Sequence, residues 1–92
     1  IFYSELDSYL ENAVSEFLDT ELVENFLKKS SLLGLPSFMR FKIYQRLNPG
    51  YDLSVADFLE LDELVTNNSS GKFRLLGKVR FEVKKDKLLI LT

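Results

Sequence analysis

The 92-residue sequence contains no cysteine and no histidine. The absence of cysteine excludes disulfide bonds, thiolate zinc sites and cysteine nucleophiles, and the absence of histidine excludes imidazole bases. A chain without cysteine fits a reducing compartment, so we expect a cytoplasmic protein. The sequence also has no run of about eighteen apolar residues and no signal-peptide pattern, so we expect no membrane partner.

Length and composition indicate one small globular domain over residues 1–92. The chain is 46% hydrophobic and 28% charged, which is typical of a folded protein. It starts with Ile1 instead of methionine, from which we expect a piece excised from a larger protein. Its function would then be one share of that larger protein's function.

Charge is distributed unevenly along the chain, although the net charge is only −2. Residues 1–35 contain two lysines and seven acidic residues, whereas residues 71–92 contain seven basic and two acidic residues. A separation of this kind can steer an anionic partner toward one side of a protein.

The first third of the chain has the apolar spacing of helices. A capping box of Ser4 and Asp7 precedes an amphipathic helix with an acidic outer side. A second short helix is predicted from Glu21 to Lys29, and a bent continuation of the first helix is an equal alternative. A loop is predicted over residues 30–35.

Two more helices are predicted in the middle of the chain. Pro36 suits the first turn of a basic helix, which must end near Asn48 because a Pro-Gly turn pair follows. Ser54 and Asp57 form a second capping box, ahead of a helix with an acidic outer side. A polar loop is predicted over residues 67–71.

From Lys72 onward the apolar period changes to two, which indicates strands. Turns are predicted at Gly77 and at Lys85-Asp86. The last strand, Leu88–Leu91, is apolar on both faces, so either a helix or a missing partner domain should cover it. The residues predicted to face the helices are Phe73, Leu75, Val79, Phe81 and Val83. We therefore predict an α+β fold, with about four helices over residues 5–66 followed by a three-stranded antiparallel meander over residues 72–91.

No pattern in the sequence predicts catalysis. Carboxylate pairs such as Asp62-Glu63 have the spacing of solvated helix faces, and no base lies near a nucleophile. The segment Ser69-Ser70-Gly71-Lys72 resembles a phosphate loop superficially, but it lacks the required frame and no helix follows it. No cluster of metal ligands occurs. We therefore expect this chain alone to have no cofactor and no activity, and an independent small enzyme is the weakest hypothesis.

Basic residues are predicted to share one face of the meander and to be joined by others on the third helix. Composition alone favours a solvated sheet whose lysines resist edge-to-edge aggregation. The functional alternative is a surface that follows RNA phosphates. The residues of that predicted RNA-binding surface are Arg40, Lys42, Arg46, Lys72, Arg74, Lys78 and Arg80.

The order of three segments resembles a known family. They are "DSYLENAVSEFL", then "GLPSFMRFKIYQRL", then "LSVADFLELDELVTNNSSGKFRLLGKVRFEVKKDKLLIL". This succession, from about residue 5 to the end, resembles the substrate-binding region that follows the ATPase domain in tRNA(Ile)-lysidine synthetase. Each segment alone is loosely specific, and their order and spacing carry the resemblance.

The resemblance implies a non-catalytic tRNA-binding domain of a larger ligase. The parent enzyme would use ATP to adenylate the wobble cytidine of tRNA(Ile) and would then attach lysine to it. That chemistry belongs to a PP-loop ATPase domain, whose Ser-Gly-Gly-x-Asp-Ser motif does not occur here. The implied partners are tRNA(Ile) and the parent's own ATPase domain. A second hypothesis is a structural or protein-interaction domain that docks through its apolar last strand.

Overall fold

The described part of the chain forms four helices and a four-stranded antiparallel sheet, one face of which is buried against helices. The computed structural model describes residues 2–67 and 71–92, with side chains from residue 5 onward. The elements are α1 (Phe2–Glu21), β1 (Phe26–Lys28), α2 (Lys29–Leu33), α3 (Ser37–Leu47), α4 (Val55–Thr66), β2 (Phe73–Leu76), β3 (Val79–Lys84) and β4 (Lys87–Leu91). The strand order is β1-β4-β3-β2. The predicted α+β class is confirmed, with four strands instead of three.

Helix α1 buries one stripe, as its apolar spacing predicts. Val14 is fully buried, and Leu10, Ala13, Phe17 and Leu18 pack around it. The helix already begins at Phe2, so Ser4 lies inside it and the prediction that Ser4 caps it is wrong. The opposite side carries acidic residues such as Glu11, whose contacts with α3 are described below.

The prediction of a second helix from Glu21 to Lys29 is wrong. The chain turns back at Glu24, whose φ is +56°, and Val23 and Phe26 exchange backbone hydrogen bonds of 3.0 and 3.1 Å. Phe26–Lys28 then pairs with β4. Pairing with an apolar neighbouring strand overrides the helical spacing, and aromatic and β-branched residues suit strands well. The predicted loop that follows contains α2, whose Leu32 is fully buried.

Helices α3 and α4 match their predictions. Pro36 precedes α3, which ends at Leu47. In the capping box of α4 the Asp57 backbone N–H donates to Ser54 Oγ at 3.1 Å, and the Ser54 N–H donates to Asp57 Oδ2 at 3.3 Å. The predicted polar loop that follows lies mostly outside the described residues.

The predicted side-chain direction is right for β3 and wrong for β2. Val79, Phe81 and Val83 are buried against the helices, as expected. Phe73 and Leu75, which were expected beside them, are 53% and 63% exposed. A two-residue turn pairs Leu76 with Val79, and directly paired residues share a face of the sheet. Leu76 therefore faces the helices, as Val79 does, whereas Phe73 and Leu75 face away from them. Leu76 is therefore buried, and all of β2 is one residue out of phase with the prediction.

Strand β4 is central, which accounts for its apolar character. It pairs with β1 on one side and β3 on the other. Leu88 is fully buried beneath the helices, while Leu89 and Leu91 point to the opposite face of the sheet and are half-buried. The neighbours of this strand thus come from the chain itself, through β1, which the sequence did not predict. None of the helices in the described part of the chain has the length and apolar character needed to cross a membrane.

Candidate nucleic-acid interface

Arg40, the first predicted RNA-binding residue, is partly buried and bonded to groups of the protein itself. Its Nε and Nη2 donate to Asp62 Oδ1 and Oδ2 at 2.8 and 3.0 Å, and its Nη1 donates to the Leu35 carbonyl at 2.6 Å. Tyr44 donates to the same carboxylate at 2.9 Å. The bond to Asp62 raises the pKa of Arg40, and burial is the main reason that the pKa of Tyr44 is raised. With 14% of its side chain exposed, Arg40 joins α3 to α4.

Lys42 and Arg46, also on α3, share a carboxylate from the acidic helix. Lys42 Nζ lies 3.6 Å from Glu11 Oε1, and Arg46 Nη2 pairs with Glu11 Oε2. Arg46 also donates to Ser15 Oγ at 3.1 Å. The hydrogen bond from Arg46 lowers the pKa of Glu11. Exposed pairs of this kind contribute only about 0.2–1 kcal/mol each, so they mainly neutralise the basic side of α3.

Lys72 and Arg74 lie beside carboxylates of α4. Arg74 is half-buried, points toward the helices and pairs with Glu60. Lys72 lines the same cleft, together with Glu63 and Asn67. The prediction that Arg74 and Arg80 share a face is wrong, because the two-residue turn reverses the direction of every β2 side chain relative to that prediction. The cleft therefore contains acidic side chains as well as basic ones, and it is not a uniformly positive surface.

Lys78 and Arg80 are the last two residues of the predicted RNA-binding set. Lys78 is exposed in the turn between β2 and β3. Arg80 lies on the face of the sheet that points away from the helices, here called the outer face. Its guanidinium lies 3.9 Å from the centre of the Phe73 ring, and its Nη2 donates to Glu82 Oε1 at 2.9 Å. Arg80 is therefore a predicted residue that lies exposed on the outer face.

The outer face carries a row of three lysines across three strands. Lys87 is directly opposite Lys28 on one side and Lys84 on the other. All three are exposed, and none forms an ion pair with any residue that the structure describes. Like charges placed directly opposite each other destabilise a sheet. This lysine row therefore concentrates positive charge without neutralising it.

A second row, two residues further along the strands, is mainly apolar. It contains Phe26, Leu89, Glu82 and Phe73, in that order across the sheet. Its two rings are at opposite edges of the sheet, and each has a cation over it. Lys87 Nζ is 4.6 Å from the centre of the Phe26 ring, and Arg80 lies over Phe73. We call this the aromatic row. Each ring therefore has a cation over one face, beside the lysine row.

No family model, curated protein or solved structure matches this chain.

Most of this outer-face group was not predicted from the sequence. Lys28 and Phe26 were not expected on the sheet, because their segment was predicted to be helical. Phe73 was expected to be buried. One signal was present in the sequence: a two-residue turn at Lys85-Asp86 makes Lys84 and Lys87 direct partners. Recognising that pairing would have shown that two lysines face each other.

Proposed function

We propose that this chain is a non-catalytic RNA-binding domain that helps to hold tRNA(Ile) for a cytoplasmic, ATP-dependent ligase of the tRNA(Ile)-lysidine synthetase kind. The order of the three sequence segments supports the ligase and its tRNA. The lysine row carries the argument for RNA. Lys87 is directly opposite both Lys28 and Lys84, all three are exposed, and no carboxylate in the described part of the chain forms an ion pair with them.

An anion bound above the lysine row would remove its electrostatic cost. In the free protein the three ammonium groups repel one another, although solvent and salt weaken that repulsion. A phosphate bound between them replaces repulsion by attraction and releases counterions condensed on the RNA. Contacts of this kind position a nucleic acid without reading its bases. A domain without catalytic groups can therefore contribute by positioning the RNA.

The chemistry of the reaction is assigned to the rest of the parent protein. ATP and lysine would bind the parent's ATPase domain, and this chain would use no cofactor of its own. In this proposal the arginines that are paired with carboxylates stabilise the fold and do not bind RNA. Arg40, bound to Asp62, and Arg46, bound to Glu11, hold the helices together beneath the sheet.

Neutralising the lysine row tests the proposal. The triple variant Lys28→Gln, Lys84→Gln and Lys87→Gln should bind tRNA(Ile) more weakly than the natural chain in filter-binding titrations. Each lost phosphate contact should flatten the dependence of log affinity on log salt by about 0.7–0.9. The variant should stay folded, because all three side chains are exposed.

A matched control changes the net charge equally at lysines outside the outer face. The variant Lys42→Gln, Lys72→Gln and Lys78→Gln removes three charges from residues of the original predicted set. We expect this control to retain more affinity and a steeper salt dependence than the lysine-row variant. If the control loses binding and the lysine-row variant does not, RNA is bound by α3 and the β2 cleft, and the outer face is only a solvated surface.

The alternative of a protein-interaction domain takes a specific form in this fold. Both edges of β4 are hydrogen-bonded to neighbouring strands, so a partner could reach only its outer residues, Leu89 and Leu91. Docking on these apolar residues would depend little on salt. Salt-independent capture of a protein, without measurable RNA binding at low salt, would favour this alternative.

A further inference from the structure

We propose that the outer face binds a single-stranded stretch of RNA, with unpaired bases stacked on Phe26 and Phe73. This inference rests on the RNA-binding function proposed above and names the class of RNA. Lysines alone can bind the phosphates of any nucleic acid. The aromatic row is the feature that distinguishes single strands from duplexes.

The outer face has exposed apolar side chains, which a bound partner would cover. The solvated face of an antiparallel sheet is usually polar. Here Phe73 and Leu75 are 53% and 63% exposed. They share the face with the half-buried Leu89 and Leu91, from which Glu82 and Arg80 separate them. Apolar side chains interleaved with cations suit a ligand that is both anionic and flat-faced. Unpaired nucleotides have both properties, and proteins commonly stack them on aromatic rings beside a basic groove.

The spacing of the two rings indicates separated bases. Phe26 and Phe73 lie on β1 and β2, three strand spacings apart. That distance is roughly 14 Å, at about 4.8 Å per strand. Consecutive stacked bases along one strand are only about 3.4 Å apart. Two bases on these rings therefore cannot be neighbours in one stack, and the strand between them must be splayed open.

The lysine row would hold the backbone of such a strand. It runs across the sheet parallel to the aromatic row and lies two residues away along the strands, which is roughly 7 Å. A single strand laid across the sheet could therefore place its phosphates over Lys28, Lys84 and Lys87. Its bases would replace the Lys87 ammonium over Phe26 and the Arg80 guanidinium over Phe73.

Glu82 affects where the bases and the phosphates of the bound RNA lie. It occupies the aromatic row between Leu89 and Phe73 and pairs with Arg80. Its carboxylate disfavours a phosphate at that position, but it can accept hydrogen bonds from the amino groups of bases. The arrangement thus separates bases from phosphates. An A-form duplex keeps the faces of its bases stacked inside the helix, so the two rings would add nothing to duplex binding.

Fluorescence anisotropy with two RNA probes tests this inference. One probe is a labelled oligouridylate of about ten nucleotides, within the site sizes of single-strand binders. The other is a labelled RNA duplex of similar length. The variants Phe26→Leu and Phe73→Leu keep an apolar side chain and remove the ring. Each should weaken oligouridylate binding at least about fivefold, because a base–aromatic stack contributes roughly 1–3 kcal/mol. Duplex binding and the salt dependence should not change.

Phe38→Leu is the matched control, since Phe38 is an exposed phenylalanine on α3, outside the outer face. It should leave the binding of both probes unchanged. If the Phe→Leu variants weaken neither probe, or weaken both equally, stacking is excluded and the single-strand inference is overturned. In that case the RNA-binding function still stands if the lysine-row variant weakens binding. If the natural chain binds neither probe at low salt, the RNA-binding function itself is contradicted.

Discussion

At the scale of single residues, burial and partners decide what a charge can do. Arg40 was predicted to contact RNA because it lies on a basic helix. It is instead bonded through three of its donor groups to Asp62 and the Leu35 carbonyl. The pair is partly buried and joins α3 to α4, so this arginine stabilises the fold. The sequence shows which helix face is polar, but it does not reveal a partner 22 residues away.

Glycine positions offer a second test at this scale. Gly77 has φ of +63°, and a Cβ there would lie 2.9 Å from Tyr51 Cδ1. Tyr51 is held by a 2.9 Å hydrogen bond to Asp57, so its ring cannot move freely. Gly77→Ala should therefore destabilise the chain by more than the roughly 1–2 kcal/mol of a left-handed backbone alone. The measurement is the free energy of unfolding from urea titration.

Two other glycines separate backbone strain from steric clash. Gly50 has φ of +86° with nothing within 4 Å of an added Cβ, so Gly50→Ala should cost only the backbone term. Gly34 has φ of −77°, and its alanine variant should be neutral or more stable by about 0.4–1 kcal/mol. Equal losses for Gly50→Ala and Gly77→Ala would show that Tyr51 yields to the new methyl group.

At the scale of elements, local signals predicted the long elements and missed those that depend on distant partners. The helix over Val55–Thr66 could be predicted because its capping box and apolar spacing lie within twelve residues. Strand β1 could not, because only its pairing with β4, some sixty residues later, distinguishes it from a helix. The side-chain direction of β2 depended on one turn length, and an error of a single residue reversed the whole strand.

Two substitutions distinguish β1 from the helix that the sequence predicts. On a helix, Val23 and Leu27 are four residues apart and share one face, so both would be buried. In the structure Leu27 is 0% exposed and Val23 is 52% exposed. Leu27→Ala should therefore reduce the free energy of unfolding by about 2–5 kcal/mol. Val23→Ala should change it by no more than about 0.5 kcal/mol. Similar losses in a urea titration would support the helix and contradict the strand.

At the scale of the whole molecule, the unequal distribution of charge along the chain is only partly preserved in space. The acidic helix α1 contributes Glu11 to Lys42 and Arg46, and α4 contributes Glu60 to Arg74. Much of the predicted basic surface is thus neutralised within the fold. The outer face keeps its positive charge because its lysines come from β1, β3 and β4, whose side chains there point away from the acidic helices. The candidate site is therefore a property of strand pairing, and the sequence could predict its sign but not its members.

The most direct test of this account is an NMR titration of the ¹⁵N-labelled 92-residue chain with the oligouridylate, followed through backbone amide shifts. The account predicts that the shifts concentrate in the four strands, at Phe26–Lys28, Phe73–Leu76, Val79–Lys84 and Lys87–Leu91. The amides of α1 and α3, including those of Glu11 and Lys42, should move little, because their charges are paired with each other. Raising the salt concentration should reverse the shifts. Shifts confined to α3, or no shifts at low salt, would contradict the claim that the outer face of the sheet binds RNA.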